Sequence, residues 1–225
     1  MGRLIVIDGL DGSGKGTQSR LLTKRLGKNG ISARRVDFPR YGKKSAALVD
    51  GYLHGELGGH PDDTGAYAAA TFFAVDRYWS YRTEWGEDYK NGVTIIADRY
   101  TTANAVHQCS KMPKEKWNEF LDWLWENEYE RLGIPRPDLI IYLEMRPDIS
   151  GRLIASRAES EGRTKDIHEA DRGYLERCYE AALYASDYLG WTKIKCYDGD
   201  DPRPIDEIAD EIEKLVMARI NGERK

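Results

Sequence analysis

Five short apolar runs rich in β-branched residues are separated by long stretches of helical periodicity, and this alternation leaves the chain few architectures. The runs are Leu4–Asp8, Ala33–Phe38, Thr94–Asp98, Leu139–Glu144 and Lys193–Tyr197. Spacing of apolar positions predicts helices over Gly14–Leu26, Ala66–Tyr81, Trp117–Leu132, Asp148–Ala158, Arg172–Leu189 and Ile205–Ile220. Strands alternating with helices of this length form parallel βαβ units, with the sheet covered on both faces. Leu4–Ile7 and Leu139–Leu143 are apolar throughout rather than alternating, as central parallel strands are. With no Ser/Gly/Pro linker, low-complexity tract or internal repeat, residues 1–225 read as a single α/β domain. Two polar stretches read as loops: Glu159–Lys165, around Gly162, and Tyr52–Asp63, with four glycines at its edge or inside it and Pro61.

Charge and cysteine usage narrow the function classes. Lysine and arginine number 34 against 38 acidic residues, a net charge of −4. A chain without basic excess is not built as a dedicated nucleic-acid or membrane-surface binder. No apolar run approaches the roughly 20 residues that span a bilayer, and Leu4–Ile7 is too short for a signal peptide. Cys109, Cys178 and Cys196 are odd in number and widely spaced, so they draw neither a disulfide framework nor a metal knuckle. The expectation is a cytoplasmic protein with small-molecule partners, no nucleic acid and no membrane.

Gly9-Leu10-Asp11-Gly12-Ser13-Gly14-Lys15-Gly16-Thr17 fits the spacing G-x-x-x-x-G-K. In a chain with 22 glycines the bare spacing is not decisive, but its placement is. It follows an apolar strand and runs into a helix, where successive N–H groups and the helix N-terminus face an anion. Lys15 then reaches phosphate as a point charge. The hydroxyl that usually follows the lysine is displaced by one position: Gly16 stands there and Thr17 comes next.

Further residues gather at strand ends, where doubly wound folds bind ligands. Asp98-Arg99-Tyr100 ends the third run; an acid there holds Mg²⁺ or caps a helix, and the adjacent arginine grips phosphate. Phe38-Pro39-Arg40-Tyr41-Gly42 closes the second run and also satisfies a plain turn. Phe73 and Arg77 are four apart on one helix face, and an arginine suits a core poorly, whereas Phe72 points elsewhere and reads as core. Asn104 is either a helix cap or an amide able to serve both N–H and C=O of a base. Arg157, Arg163 and Lys165 are a modest basic cluster that equally forms a solvated face. His54, His60 and His107 lack metal-ligand spacing and read as surface or packing residues.

Lys-Gly-Thr-Gln after such a loop is typical of nucleoside monophosphate kinases, and the acid inside the loop resembles the thymidylate kinase branch. The resemblance runs from Leu4 to about Leu189, including Tyr129-x-x-Leu132-Gly133-x-Pro135-x-Pro137-Asp138, and fades in the last helix. It implies a P-loop NTPase-type doubly wound fold with a five-stranded parallel sheet and a short lid over about 157–168. It also implies ATP-dependent phosphorylation of dTMP to dTDP with Mg²⁺, by a homodimer. Carried over by position, ATP falls to Gly9, Gly12, Ser13, Gly14, Lys15, Gly16 and Thr17. The acceptor dTMP falls to Asp11, Phe38, Arg40, Tyr41, Phe73, Arg77, Arg99, Asn104, Asp166 and Glu169, and the metal shell to Asp11, Thr17 and Asp98. Lys15, Arg99 and a lid arginine, Arg163, take the catalytic roles, since Ser13 stands where some members carry an arginine in the loop. His168 departs from the commoner tyrosine. The alternatives are another nucleoside monophosphate kinase or a deoxynucleoside kinase on the same scaffold, and a nucleotide-binding module without turnover. The arginines at the acceptor end favour a monophosphate acceptor.

Overall fold

In the computed structural model, which describes residues 1–161 and 172–222 (with the side chains of 156–161 and 172 left out), five parallel strands form one sheet. They are β1 (Leu4–Asp8), β2 (Ala33–Asp37), β3 (Thr94–Asp98), β4 (Leu139–Glu144) and β5 (Thr192–Lys195), in the order β2-β3-β1-β4-β5. The register sets Ile7 beside Asp98 and Asp8 beside Tyr142. All five residues of β1 and of β3 are buried, which accounts for their unbroken apolar sequence, whereas edge strand β2 (Ala-Arg-Arg-Val-Asp) buries only Val36.

Side chains alternate across the sheet. Ile5 and Ile7 pack with Leu22 and Leu26 of α1 (Lys15–Lys28) and with Ile208, Ile212 and Val216 of the last helix, Ile205–Ile220. Leu4 and Val6 face the other way, into a cluster with Val36, Trp85, Ile95 and Tyr100. That second face also carries α2 (Ala47–Leu53), α3 (Ala66–Ser80), α4 (Gly86–Lys90), α5 (Thr101–Cys109), α6 (Trp117–Trp125) and the helix Arg172–Tyr188. The helix Pro147–Glu161 follows β4.

The chain leaves β1 toward one edge through β2 and β3, then crosses to the other through β4 and β5. The crevice between the carboxyl ends of β1 and β3 is therefore the switch point where such sheets bind ligands. Arg99, just past β3, has φ 64°, a left-handed conformation uncommon outside glycine, and its N–H is bonded to Ile7 O at 3.0 Å. The strain is retained at the mouth of the crevice.

Several boundaries differ from the sequence reading. The second strand stops at Asp37, before Phe38-Pro39, although the Phe38 N–H still donates to Asp98 O at 3.0 Å. The fifth run splits into β5 and a short hairpin of Tyr197–Asp198 with Asp201–Pro202. The expected loop at Tyr52–Asp63 begins inside α2 and holds a 3₁₀ turn, Pro61–Asp63. Glu159–Glu161 continue a helix rather than a loop. Helix α5 is not anticipated at all, because Thr101-Thr102 and the polar residues after them obscure its period. Two helices extend as π-turns, α3 through Tyr81–Trp85 and α6 through Glu126–Arg131; Leu132 N–H reaches back five residues to Asn127 O, 2.9 Å away.

Candidate active site

The turn from β1 into α1 is shaped by glycines at places where a side chain has no room. A Cβ on Gly9 would lie 2.5 Å from Ser13 Oγ and 2.8 Å from Leu143 O, and one on Gly12 would lie 2.7 Å from Ser150 O. Gly12 and Gly14 both take positive φ, 82° and 88°. Gly14 is the N-cap of α1, and no side chain caps that end. The Lys15 and Gly16 N–H groups therefore present an anion-binding surface of the kind the sequence predicts, while Thr17 N–H turns back to Gly14 O at 3.0 Å. Ser13 lies in this turn, buried, with its hydroxyl making no bond among the described residues.

Two cations converge on one carboxylate oxygen beside this turn. Lys15 Nζ sits 2.8 Å from Asp11 Oδ1 and 3.4 Å from Leu10 O, and Arg99 Nη2 bonds the same Asp11 oxygen. Burial pushes the Asp11 carboxyl up, but Arg99 and Lys15 outweigh it and hold the group well below the ordinary carboxylate range. For Arg99, burial works against the charge, and Asp11 followed by Asp8 raises its proton affinity above the ordinary guanidinium value. Asp8 itself is raised, chiefly by burial, even though Arg99 faces it and Thr102 Oγ1 and the Gly9 N–H donate to it.

Asp98 lies on the other wall of the crevice. Its Oδ2 accepts from Arg35 Nη2 at 2.7 Å and from Ser19 Oγ at 3.3 Å, while its Oδ1 takes neither bond. A Cβ on Gly16 would approach Asp98 Oδ2 to 3.2 Å, so the residue after Lys15 lies directly against this acid. Thr17 Oγ1 accepts a long contact from Arg20 Nη2 at 3.5 Å. The sequence reading missed Arg35 and Ser19; their alternation with buried Val36 and Leu22 gives no signal of a shared partner.

At the end of β2, the Phe38 ring lies 5.8 Å from that of Tyr100, and Tyr41 is exposed. Arg40 donates from its backbone to Asp76 Oδ2 at 2.8 Å, and its guanidinium meets Asp37 Oδ1 at 3.1 Å and Glu84. Asp76, buried and raised chiefly by burial, also accepts from Ser45 Oγ at 2.5 Å. Asp76 and Glu84, unnoticed in sequence, fix the arginine that follows Pro39.

Farther along α3, Phe72 and Phe73 both pack on Tyr52, at 6.5 and 6.1 Å between ring centroids. Arg77 is 1% exposed and pairs with Glu128, itself 0% exposed, through Nε–Oε2 at 2.6 Å and Nη2–Oε1 at 2.5 Å; Nη1 donates to Tyr100 O at 3.2 Å. Burial alone would lower the Arg77 proton affinity, and Glu128 more than restores it. Asn104 Nδ2 donates to Ala70 O at 3.0 Å and to Glu128 Oε1 at 3.2 Å. Asn104 thus lies within α5 rather than at its cap. Phe73, Arg77 and Asn104 come from two helices, and Glu128 joins the last two. A signal for Glu128 exists: Phe120, Leu124 and Glu128 recur at intervals of four, so an acid occupies a buried stripe.

Arg163, Asp166 and Glu169, with Lys165 and His168, lie outside the described residues, as does most of the expected lid at 157–168; the side chain of Arg157 does too. His107 is buried against Tyr174, their rings stacked 5.9 Å apart, as a packing residue.

Comparisons with known proteins agree with this geometry. The sequence model of the thymidylate kinase family matches residues 7–194. A thymidylate kinase of Mycobacterium tuberculosis is 34% identical over 184 residues, 81% of this chain and 84% of that protein. One of Schizosaccharomyces pombe is 33% identical over 158 residues, 70% of this chain and 66% of that protein. A solved thymidylate kinase structure from Candida albicans superposes with a TM-score of 0.70 at 20% identity, covering 98% of this chain and 93% of that one, a likeness of fold.

Proposed function

This chain belongs to the thymidylate kinase family, and on that premise we propose how its residues carry the reaction. The enzyme phosphorylates dTMP to dTDP with ATP as donor. Neither alternative acceptor finds support. Phosphoryl transfer asks for positioning and charge neutralisation more than covalent chemistry.

The observation that carries the reading is the pair Lys15 and Arg99 on one oxygen of Asp11, at the switch point of the sheet. The amides of Gly12, Gly14, Lys15 and Gly16, with the Lys15 ammonium, hold the donor phosphates, Ser13 and Thr17 N–H being bonded to Leu10 O and Gly14 O. Arg99, with Tyr41 and Arg40, holds the acceptor phosphate, and the phosphoryl group passes between the two cations. Asp11 keeps them in place until phosphate oxygens compete for them, and then faces the sugar hydroxyl. Phe73, Arg77 and Asn104 read the base. Arg163 completes the charge shell from the lid, and Asp166 and Glu169 approach the sugar and acceptor phosphate.

For magnesium, one carboxylate plus substrate phosphates and water is the ion's usual environment. Asp98 Oδ1, outside the Arg35 and Ser19 bonds, and Thr17 Oγ1 on the first turn of α1 fit that need. Asp11 can join that shell once Lys15 and Arg99 turn from its Oδ1 to phosphate. When bound, the ion neutralises charge on the transferring phosphates.

Residues 1–225 act as one catalytic domain. A homodimer formed through α3 is supported by Val75 and Trp79, exposed one turn apart. No helix among the described residues is long and apolar enough to cross a membrane; a cytoplasmic location, without nucleic-acid partners, suits the acidic charge balance. A coupled ADP-release assay across dTMP, dUMP, dCMP, AMP and thymidine tests the assignment. The expected order of kcat/KM is dTMP, then dUMP, with dCMP far behind. Thymidine turned over better than dTMP, or dCMP as well as dTMP, refutes it.

A further inference from the structure

We infer that Glu128 is a specificity-positioning residue: it fixes which edge of the Asn104 amide faces the acceptor base. The inference rests on the base-reading role proposed for Arg77 and Asn104.

An asparagine amide offers two N–H donors on one edge and an acceptor oxygen on the other, and a half-turn about its last bond exchanges them. Both atoms facing Asn104 Nδ2, Ala70 O and Glu128 Oε1, are pure acceptors. The opposite orientation would set Oδ1 against a carbonyl and a carboxylate oxygen at once, in a place where Asn104 is 1% exposed. The amide is therefore held with its nitrogen inward, and Oδ1 makes no bond among the described residues.

A fixed acceptor suits a pyrimidine that carries N3–H, as thymine and uracil do. Cytosine has a lone pair at N3, and acceptor would face acceptor. Glu128 Oε1 is shared by Arg77 Nη2 and Asn104 Nδ2, so one carboxylate aligns both residues. Of the five guanidinium N–H groups of Arg77, three are committed to Glu128 and Tyr100 O, and two remain for a base carbonyl. Acting through these neighbours, Glu128 sets both the acceptor and the donor that the base meets. Its place in a π-turn, Glu126–Arg131, brings it to this position, and its burial keeps water from competing for the shared oxygen.

The test uses the full-length enzyme and steady-state kinetics with dTMP, dUMP and dCMP. Glu128→Gln retains the shape but removes the charge that holds the amide. It should raise KM for dTMP about tenfold or more, leave kcat and KM for ATP within about twofold, and compress the dTMP-to-dCMP ratio of kcat/KM about tenfold. Glu128→Asp, which withdraws the carboxylate by one methylene, should fall between. In an Asn104→Ala background, Glu128→Gln should compress the ratio less than it does in the wild type, the part that remains acting through Arg77; an undiminished compression would overturn the role through Asn104. A lowered melting temperature with unaltered KM and ratio would make Glu128 a packing ion pair and overturn the inference. If Asn104→Ala and Arg77→Ala themselves leave the ratio unchanged, the base-reading assignment fails, and this inference with it. Should neither Glu128 variant fold, hydrogen exchange at the Asn104 side-chain amide of the wild-type enzyme decides. Slow exchange of both protons supports the fixed orientation, and free exchange overturns it.

Discussion

Two carboxylates in this enzyme each hold an arginine, and their surroundings differ in a way that separates reversible from permanent pairing. Asp11 holds Lys15 and Arg99 at the sheet's switch point, where the three side chains keep 20, 12 and 17% of their exposure. Glu128 holds Arg77 where the pair keeps 0 and 1%. Near water, ion pairs exchange partners at modest cost, so the first pair can hand its cations to phosphate. In the interior, an unpaired charge costs several kcal/mol, so the second pair stays closed whatever occupies the site. On the proposed mechanism Asp11 stores charge for the reaction, and Glu128 stores geometry.

Breaking the comparison begins with the cation that is to be handed over. Lys15→Ala should lower kcat by on the order of 10³ or more, since neutralising the donor phosphates is a principal catalytic contribution. Its melting temperature should move little; a folded variant with near-normal turnover would remove Lys15 from the mechanism.

Next comes the permanent pair. Glu128→Ala leaves Arg77 buried and unpaired and should cost ~3–5 kcal/mol in chemical denaturation. A loss below about 1 kcal/mol would place the pair in the same class as exposed ion pairs and erase the distinction drawn here. Asp11→Asn should cost less stability at pH 7 than Glu128→Ala, while lowering turnover sharply. Its pH dependence has a definite sign. A carboxyl held below its ordinary value contributes stability present above that value and lost as pH falls through the lower, folded one. Wild-type enzyme should therefore lose more stability than Asp11→Asn on acidification below about pH 4.

The smallest effect is expected at Asp8, whose shift has the opposite sign. Its carboxyl is raised from 3.8 by burial, so the folded state binds the proton more tightly, and this residue's contribution declines as pH rises from 3.8 through the folded value. Asp8→Asn keeps an acceptor for the Gly9 N–H and should change stability at pH 7 by less than about 1 kcal/mol. It should also flatten the loss between acid and neutral pH; an unchanged slope would assign that loss to other groups.

The parts of the fold legible in sequence were those whose physics is local. β1 and β3 are buried at every residue and β4 at its centre, and the boundaries of all three coincide with the apolar runs. The glycine turn was legible because backbone clearance at Gly9 and Gly12 allows no other residue type. α5 was not, since Thr101-Thr102 and the polar residues after them obscure its period, and Asp8, the partner of Thr102, lies 94 residues away in sequence. The partners of Arg40 and Arg77 were hidden for the same reason: Glu84 and Glu128 lie 44 and 51 residues distant. The sequence marked Arg77 as unsuited to a core, and only the fold supplies the acid that reconciles it with one.

Both of those acids arrive on π-turns, Glu84 in Tyr81–Trp85 and Glu128 in Glu126–Arg131. A π-turn accommodates one more residue than the α-helical turn it replaces, so its contents depend on chain length as well as residue identity. Loss of a single codon within 126–131 would let the segment close as α-helix, keeping the residues beyond it in phase while drawing those inside it around a tighter turn. The amphipathic stripe would survive in rough outline, while the carboxylate would swing off the guanidinium. In the evolution of this chain, then, point substitutions on the outer surface of these turns are open to drift. Insertions and deletions within them are closed, because each changes which residue meets the arginine.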